Sequence, residues 1–351
     1  MNRALTGALA LCLALTAACS SSGGGDGASG GTPKIGFSLA TTDLDFAQEM
    51  AAGGKYAADT VGGVDMQISA PPQIDPPAQV KLFGDLGRTA PDGIAIENLA
   101  PDLFVRPLAD LAAKKTRLVG VDTVPAPGSN VGLYIGNDNR AAGRQLAEEA
   151  IKRLPAGATG EVVLGTTTPG VPVLDERANG MKDAFAEKLP GVKVLGPFET
   201  KNDPAVNFDI WNGLVKAHPQ ALAFLGTGDA DSYNVAKAKK LNGGKYLTAA
   251  FDLDAQTLQA VKDGTNFAVM SPEHYFKGYV AIRLLAEAAK SGKPLPEGWI
   301  DSTHLLVTSD NIDEITARQG SEQTKRDWAK PKAEAFFADI QAKIRPMSEA
   351  K

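Results

Sequence analysis

The sequence predicts an α/β protein of two Rossmann-like, doubly wound lobes joined by a hinge, on three observations. Short apolar runs alternate with amphipathic stretches; the alternation is traversed twice; and 351 residues exceed one ordinary domain. Hydrophobic residues at 43% and charged residues at 22% are a normal balance for folded cores.

In the first round, strands are expected at Lys34–Leu39, Asp65–Ser69, Gly93–Ile96, Arg117–Val121 and Val131–Gly136. Helical patterns separate them near Phe46–Thr60, at Pro76–Thr89 behind an opening proline, and at Leu103–Lys114. A helix at Asn139–Leu154 bridges to the second round. There the strand candidates are Gly160–Leu164, Val192–Gly196, Ala221–Leu225, Tyr246–Phe251 and Phe267–Met270. Helices are expected at Leu174–Leu189, Pro204–Ala217, Ala230–Leu241 and Asp254–Asp263, and then at Phe276–Ser291, where Ala281, Leu284, Leu285 and Ala288 form an apolar stripe. Such βαβ succession implies mostly parallel sheets covered on both faces. The charged stretch from Ser321 to Lys351 is expected to form a surface helix and a frayed end.

The start of the chain reads differently. Asn2-Arg3 precedes an apolar run from Ala4 to Ala18, of secretory length and short for a bilayer span. Leu15-Thr16-Ala17-Ala18-Cys19 resembles a bacterial lipobox, in which Cys19 becomes the lipidated first residue; an ordinary signal peptide cut near Ala18 is the alternative. The Ser/Gly-rich stretch that follows reads as a flexible tether. The two cysteines are Cys12 and Cys19, so the body has no thiol for a disulfide or a thiolate metal site.

In open parallel sheets ligands bind beyond the carboxyl ends of strands. Residues just past the expected strands are Thr41 to Phe46, Glu97 and Asn98, Asp122, Gly226 to Asp229, Asp252, and Ser271 to Glu273. Carboxylates accept paired hydrogen bonds from vicinal hydroxyls, and the rings of Phe46 and Phe251 can cover a sugar's C–H face. The competing reading makes these Asp and Asn residues turn formers and helix caps.

In order and spacing these residues resemble the ribose-binding-protein family of periplasmic sugar receptors, the type I solute-binding proteins, from about Lys34 to Val307. The likeness lies in Ile35-Gly36-Phe37-Ser38 followed by Phe46, Asp92-Gly93-Ile94-Ala95-Ile96, and Val119-Gly120-Val121-Asp122. It continues in Ile135-Gly136-Asn137-Asp138-Asn139 with Gly143, Glu176-Arg177 with Gly180, Ala250-Phe251-Asp252, and Asp263-Gly264. The resemblance implies that Phe46 packs on the ligand while Asp122 and Asp252 bind hydroxyls from opposite lobes. It places a ligand arginine at Arg177 or two residues earlier, where this chain has Asp175. Leu44, Thr123, Gly228, and Pro272 or Glu273 replace polar residues usual in ribose binders, so a ligand other than ribose is expected.

The expected ligand-binding set is therefore Phe46, Glu97, Asn98, Asp122, Arg177, Asp229, Asp252 and Glu273. Arg177 is the one basic neighbour foreseen, so the acids would repel one another and favour an amino sugar or other cationic polyol, unless half of them face solvent. The expected division is residues 1–18 as signal peptide, 19–32 as tether, 33–138 plus 272–304 as the N-terminal lobe, 139–271 plus 305–320 as the C-terminal lobe, and 321–351 as the tail.

Other chemistries find little support. The net charge of −5 without a basic stripe argues against nucleic acid. Gly226-Thr227-Gly228 has Asp231 where a dinucleotide loop needs its third glycine. His218, His274 and His304 are too widely spaced for a zinc motif, and the three Asp-x-Asp pairs do not continue as calcium loops. No cofactor, metal or catalytic residue is expected. The resemblance implies a monomeric, exported receptor, held to the outer face of the cytoplasmic membrane by lipid, that serves ABC permease transmembrane subunits. A receptor for a sensor partner and a secreted carbohydrate-acting α/β enzyme remain as alternatives.

Overall fold

The first round folds in chain order as β1 (Lys34–Ser38), α1 (Asp45–Val61), β2 (Asp65–Ser69), α2 (Pro76–Thr89), β3 (Gly93–Glu97), α3 (Pro101–Ala113), β4 (Leu118–Val121) and β5 (Leu133–Gly136), in a computed structural model that describes residues 31–350. The expected signal peptide, Cys19 and the tether up to residue 30 lie outside the described residues. The second round is α4 (Asn139–Arg153), β6 (Gly160–Thr166), α5 (Pro172–Lys188), β7 (Val192–Glu199), α6 (Pro204–Ala217), β8 (Ala223–Gly226), α7 (Asp229–Asn242), β9 (Leu247–Phe251), α8 (Ala255–Lys262) and β10 (Ala268–Ser271). Then come α9 (His274–Ser291), β11 (Gly298–Asp301), β12 (Leu305–Val307), α10 (Ile312–Gln319), α11 (Glu322–Ala338) and β13 (Ile344–Arg345).

Local chemistry sets many helix starts. Asp75, Asp138, Asp203 and Asp254 each accept backbone N–H groups from the first turn of α2, α4, α6 and α8. Prolines at the first positions of α2, α3, α5 and α6 lack only an N–H that would have no partner there.

The strands form two separate sheets, ordered β13-β11-β5-β4-β3-β1-β2 and β12-β10-β9-β8-β6-β7. Both contain the doubly wound order 2-1-3-4-5, counted along each round. Pairing is parallel except where β13 meets β11 and β12 meets β10. Helices on both faces bury the strands: β3, β4 and β5 of the first sheet and β8 of the second are buried along their whole length. The chain therefore builds the two-lobe architecture expected from its alternation.

In each lobe one helix pair approaches so closely that only glycine fits. A Cβ on Gly53 of α1 would lie 1.8 Å from the Tyr275 carbonyl oxygen, and one on Gly278 of α9 would lie 2.0 Å from that of Met50. Gly143 of α4 and Gly180 of α5 stand in the same relation to the carbonyls of Arg177 and Arg140, both at 2.0 Å. The second pair seats Arg177, on α5, beside Asn139, at the start of α4: Nε donates to Asn139 Oδ1 at 3.1 Å.

The chain passes between sheets after β5, after β10, after β11 and, through α10 and α11, after β12. Asn137 in the first crossing donates through Nδ2 to Ser302 Oγ at 3.2 Å and to the Thr303 carbonyl, both in the third. The tail departs from the frayed end expected for it. After α11, whose Phe336 ring meets Phe276 of α9 edge-on at 5.3 Å, Ile344 and Arg345 add a strand to the first sheet by pairing with Ile300 and Trp299. The buried apolar edge of β11 supplies the partner.

Candidate ligand-binding site

Asp122 follows β4 and Asp252 follows β9, the fourth strands of their rounds. Both adopt left-handed backbone, with φ of 65° and 77°. The backbone N–H of each still bonds across to the next strand, Asp122 to the Ile135 carbonyl at 2.8 Å and Asp252 to that of Met270 at 2.9 Å. An L-residue adopts this conformation at a cost, which its surroundings must meet. Tyr134 helps by donating its buried hydroxyl to the Asp122 carbonyl at 2.7 Å. The two turns bring one carboxylate from each lobe to a common space.

That space is a cavity of about 430 Å3 lined by Phe46, Asp122, Arg177, Asp229, Asp252 and His274, with Leu44, Leu99, Val171 and Leu174 among its apolar walls. Leu99 packs on Val171, Val173 and Leu174 across the cleft, joining the lobes over the cavity. Of the two alternatives for the arginine, Arg177 lines the wall. Its Nη1 donates to the Thr227 carbonyl at 2.8 Å and its guanidinium lies 4.3 Å over the Phe251 ring. Asp175 instead accepts from the Gly170 N–H at 3.3 Å. The expected Phe251 contact is thus with Arg177, and Phe46 is the aromatic on the cavity wall.

Three expected ligand residues do not line this cavity. Glu97 is fully buried behind the wall, accepting from the Ala40 N–H at 2.8 Å, while its Oε1 has no hydrogen-bond partner. Burial first, and then the Asp122 charge, push its carboxyl up to about 8 against the bond from Ala40. Asn98 caps the turn into α3, its Oδ1 accepting from the Ala100 N–H at 3.2 Å. Glu273 points toward the tail helices, where Arg318 Nη1 at 3.0 Å and Lys332 Nζ at 3.1 Å grip its carboxylate. Burial alone would raise Glu273, but Arg318 and Lys332 win and hold it below its usual range.

The expectation of a single basic neighbour is also corrected. Lys277 of α9 is wholly buried and donates through Nζ to Asp122 Oδ1. Burial pushes the Asp122 carboxyl up, but Lys277, His274 and Arg177 outweigh it and hold the group well below the usual carboxylate range. His274, the first residue of α9, places Nε2 2.9 Å from Asp252 Oδ1. A signal for Lys277 was present: it sits four residues before Ala281 and seven before Leu284, on the apolar stripe of its helix. His274 lies on the same stripe, seven residues before Ala281, but falls ahead of the helix start expected at Phe276, and the polar contact was expected at Pro272 or Glu273.

A cluster of acids nevertheless stands at the mouth. Asp45 and Asp229 both line the cleft between the lobes. Burial, then Glu49, Asp252 and Asp254, raise Asp45 to about 7. Burial, followed by Asp252, Asp45 and Asp254, raises Asp229 well above its usual range. Beyond lies a wider cleft of about 1630 Å3 that Asp45, Asp229, Tyr233 and Asp254 also line. Asp231 does not join them. Its Oδ2 accepts the Thr227 and Gly228 N–H groups at 3.0 Å, and its Oδ1 accepts from Thr200, Asn207 and Trp211. The Gly-Thr-Gly loop thus spends its N–H groups internally, as its missing third glycine suggested.

Two sheets wound alike around a cavity walled from both sides define a two-lobe binding protein. Residues 35–294 match the family described as periplasmic binding protein domain, and the chain belongs to that family. Among curated proteins it is 28% identical over 267 residues to the D-allose-binding periplasmic protein of Escherichia coli (strain K12), a match covering 74% of this chain and 85% of that one. Among solved structures it resembles an ABC transporter solute-binding protein from Burkholderia graminis C4D1M in complex with D-arabinose. The identity is 28% and the TM-score 0.74, over 81% of this chain and 98% of the other. An ABC transporter solute-binding protein from Agrobacterium vitis, bound with alpha-D-tagatopyranose, shares the fold at 23% identity and a TM-score of 0.74, over 82% and 98% of the two chains. No described helix is long and apolar enough to cross a membrane.

Proposed function

We propose that this chain is an extracytoplasmic solute-binding lipoprotein that captures a monosaccharide or related polyol for ABC-type import, by closure of its two lobes. The observation that carries the reading is the convergence of Asp122 and Asp252, one from each lobe, with Arg177 and Phe46 on a single cavity. Two carboxylates and a guanidinium suit adjacent hydroxyls, and Phe46 offers a surface for the ring's C–H face.

The crossings at residues 137–138, 272–273 and 302–304 serve as the hinge between lobes divided at 33–138 plus 272–304 and 139–271 plus 305–320. Membership of a periplasmic binding family implies export, and Cys19 is the lipid attachment that would keep the monomer beside its permease. The acid cluster of Asp45, Asp229, Asp252 and Asp254 favours a second reading, in which the ligand is an amino sugar or other cationic polyol.

The test is calorimetric titration with D-allose, D-arabinose, other monosaccharides, cyclitols and amino sugars. One-to-one binding to a neutral sugar, with the sugar recovered unchanged, supports transport. Binding restricted to amines favours the second reading, and formation of a product defeats the receptor reading in favour of an enzyme.

A further inference from the structure

The His274 side chain is 6% exposed, and its two ring nitrogens stand in different situations. Nε2 lies 2.9 Å from Asp252 Oδ1. A carboxylate accepts, so the imidazole proton belongs on Nε2, and Nδ1 is left as a lone-pair acceptor. Nδ1 is buried and has no hydrogen-bond partner. It lies 4.0 Å from Asp122 Oδ1, too far for a hydrogen bond, and Lys277 already donates to that oxygen. Asp122 lines the two-lobe cavity but not the neighbouring hinge cavity of about 360 Å3, so the Nδ1 edge is the one turned toward the ligand space. Phe46 flanks it, with ring centroids 5.8 Å apart.

We infer that His274 Nδ1 accepts a hydrogen bond from a hydroxyl of the captured sugar or polyol, which makes His274 a specificity-determining residue. The inference rests on the sugar-binding reading above. Through Nε2 the same ring orients Asp252, so one side chain from the hinge end of α9 serves both lobes. Asp122 and Nδ1 are spaced to meet neighbouring hydroxyls of one ring lying against Phe46. The site therefore discriminates against a sugar lacking the hydroxyl that faces Nδ1.

Glutamine at 274 can present its amide nitrogen to Asp252 while offering nothing at the Nδ1 position. Wild type and H274Q are titrated with D-allose, D-arabinose and the monodeoxy derivatives of whichever binds. H274Q is expected to melt within about 2 °C of wild type without sugar, and to bind the parent sugar about tenfold more weakly or worse. One monodeoxy sugar is expected to bind both proteins alike. Equal affinity of the two proteins for the parent sugar overturns the inference while leaving the sugar reading intact. Failure of wild type to bind any of the sugars sinks both, and is visible without the variant. If H274Q does not fold, nitrogen-15 NMR of histidine-labelled wild type decides: an Nδ1 resonance that stays put when a binding sugar is added overturns the proposal.

Discussion

Replacing Lys277 with methionine should separate what its ammonium does from what its stem does. The stem is of similar length, so the packing of α9 against the first sheet is largely kept, while Asp122 loses the cation nearest its Oδ1. Both side chains are at least nine-tenths buried, at 0% and 5% exposure, so water cannot take the lysine's place without rearrangement. Leaving one member of such a pair unpaired destabilises by roughly 3–5 kcal/mol. At about 2 °C per kcal/mol for a chain of this length, the melting temperature should fall by roughly 6–10 °C.

The pH dependence should change in a defined direction. In the wild type Asp122 is held below its unfolded value of 3.8, so its contribution is present above that value and is lost only in strong acid. In K277M the Arg177 charge remains but the largest opposing charge is gone, so the acid limb of the stability curve moves to higher pH. Calorimetric melting of the sugar-free protein from pH 3 to 8 reads both effects. D122N/K277M, which removes the stranded charge as well, should recover much of the loss. A K277M protein that melts with the wild type at neutral pH, or a double variant no better than the single, would refute the argument.

Other outcomes are expected. Asp45 and Glu97 have folded values of about 7 and 8, above their unfolded values of 3.8 and 4.5, so their stabilising contribution is complete below the unfolded values, declines between the two, and is gone once pH has risen through the folded ones. Melting of the sugar-free protein should therefore decline over that window, and a D45N variant should flatten the decline; an unchanged profile in D45N would count against the cleft acids as its source. Gly180→Ala should destabilise by about 1–3 kcal/mol, because its Cβ would lie 2.0 Å from the Arg140 carbonyl oxygen; chemical denaturation measures this, and a neutral result would show that the helices can part. Asp252→Ala should abolish sugar binding in titration while retaining the fold by circular dichroism, and wild-type affinity would remove Asp252 from the site. Cys19→Ala should move the protein from the membrane to the soluble fraction of cells, and retention in the membrane would dispose of the lipid anchor.

The fold was legible because its signals are local. Apolar runs of strand length, Pro76 and Pro204 at helix starts, and capping aspartates such as Asp203 and Asp254 act over a few residues, so they can be seen along the chain. The tail strand was not, because Ile344 and Arg345 pair only where β11 presents an edge. Within the site, Asp122, Arg177, Asp229 and Asp252 were found from their positions after strands or in motifs, and all line the cavity. Glu97, Asn98 and Glu273 occupy equally suggestive positions but turn to other partners, since a side chain's aim depends on rotamer and neighbours rather than on its place in the chain.

From the sequence by itself came the doubly wound lobes, their common crevice and its acidic character, all consequences of periodicity and of which residues end each strand. Tertiary structure alone decided the charge balance of that crevice. Lys277 and His274 lie 155 and 152 residues beyond Asp122, on the opening turns of α9 in the second passage between the sheets. Electrostatic compensation falls off with distance in space and not along the chain, so only the fold brings the Lys277 ammonium to Asp122 and the His274 ring to Asp252.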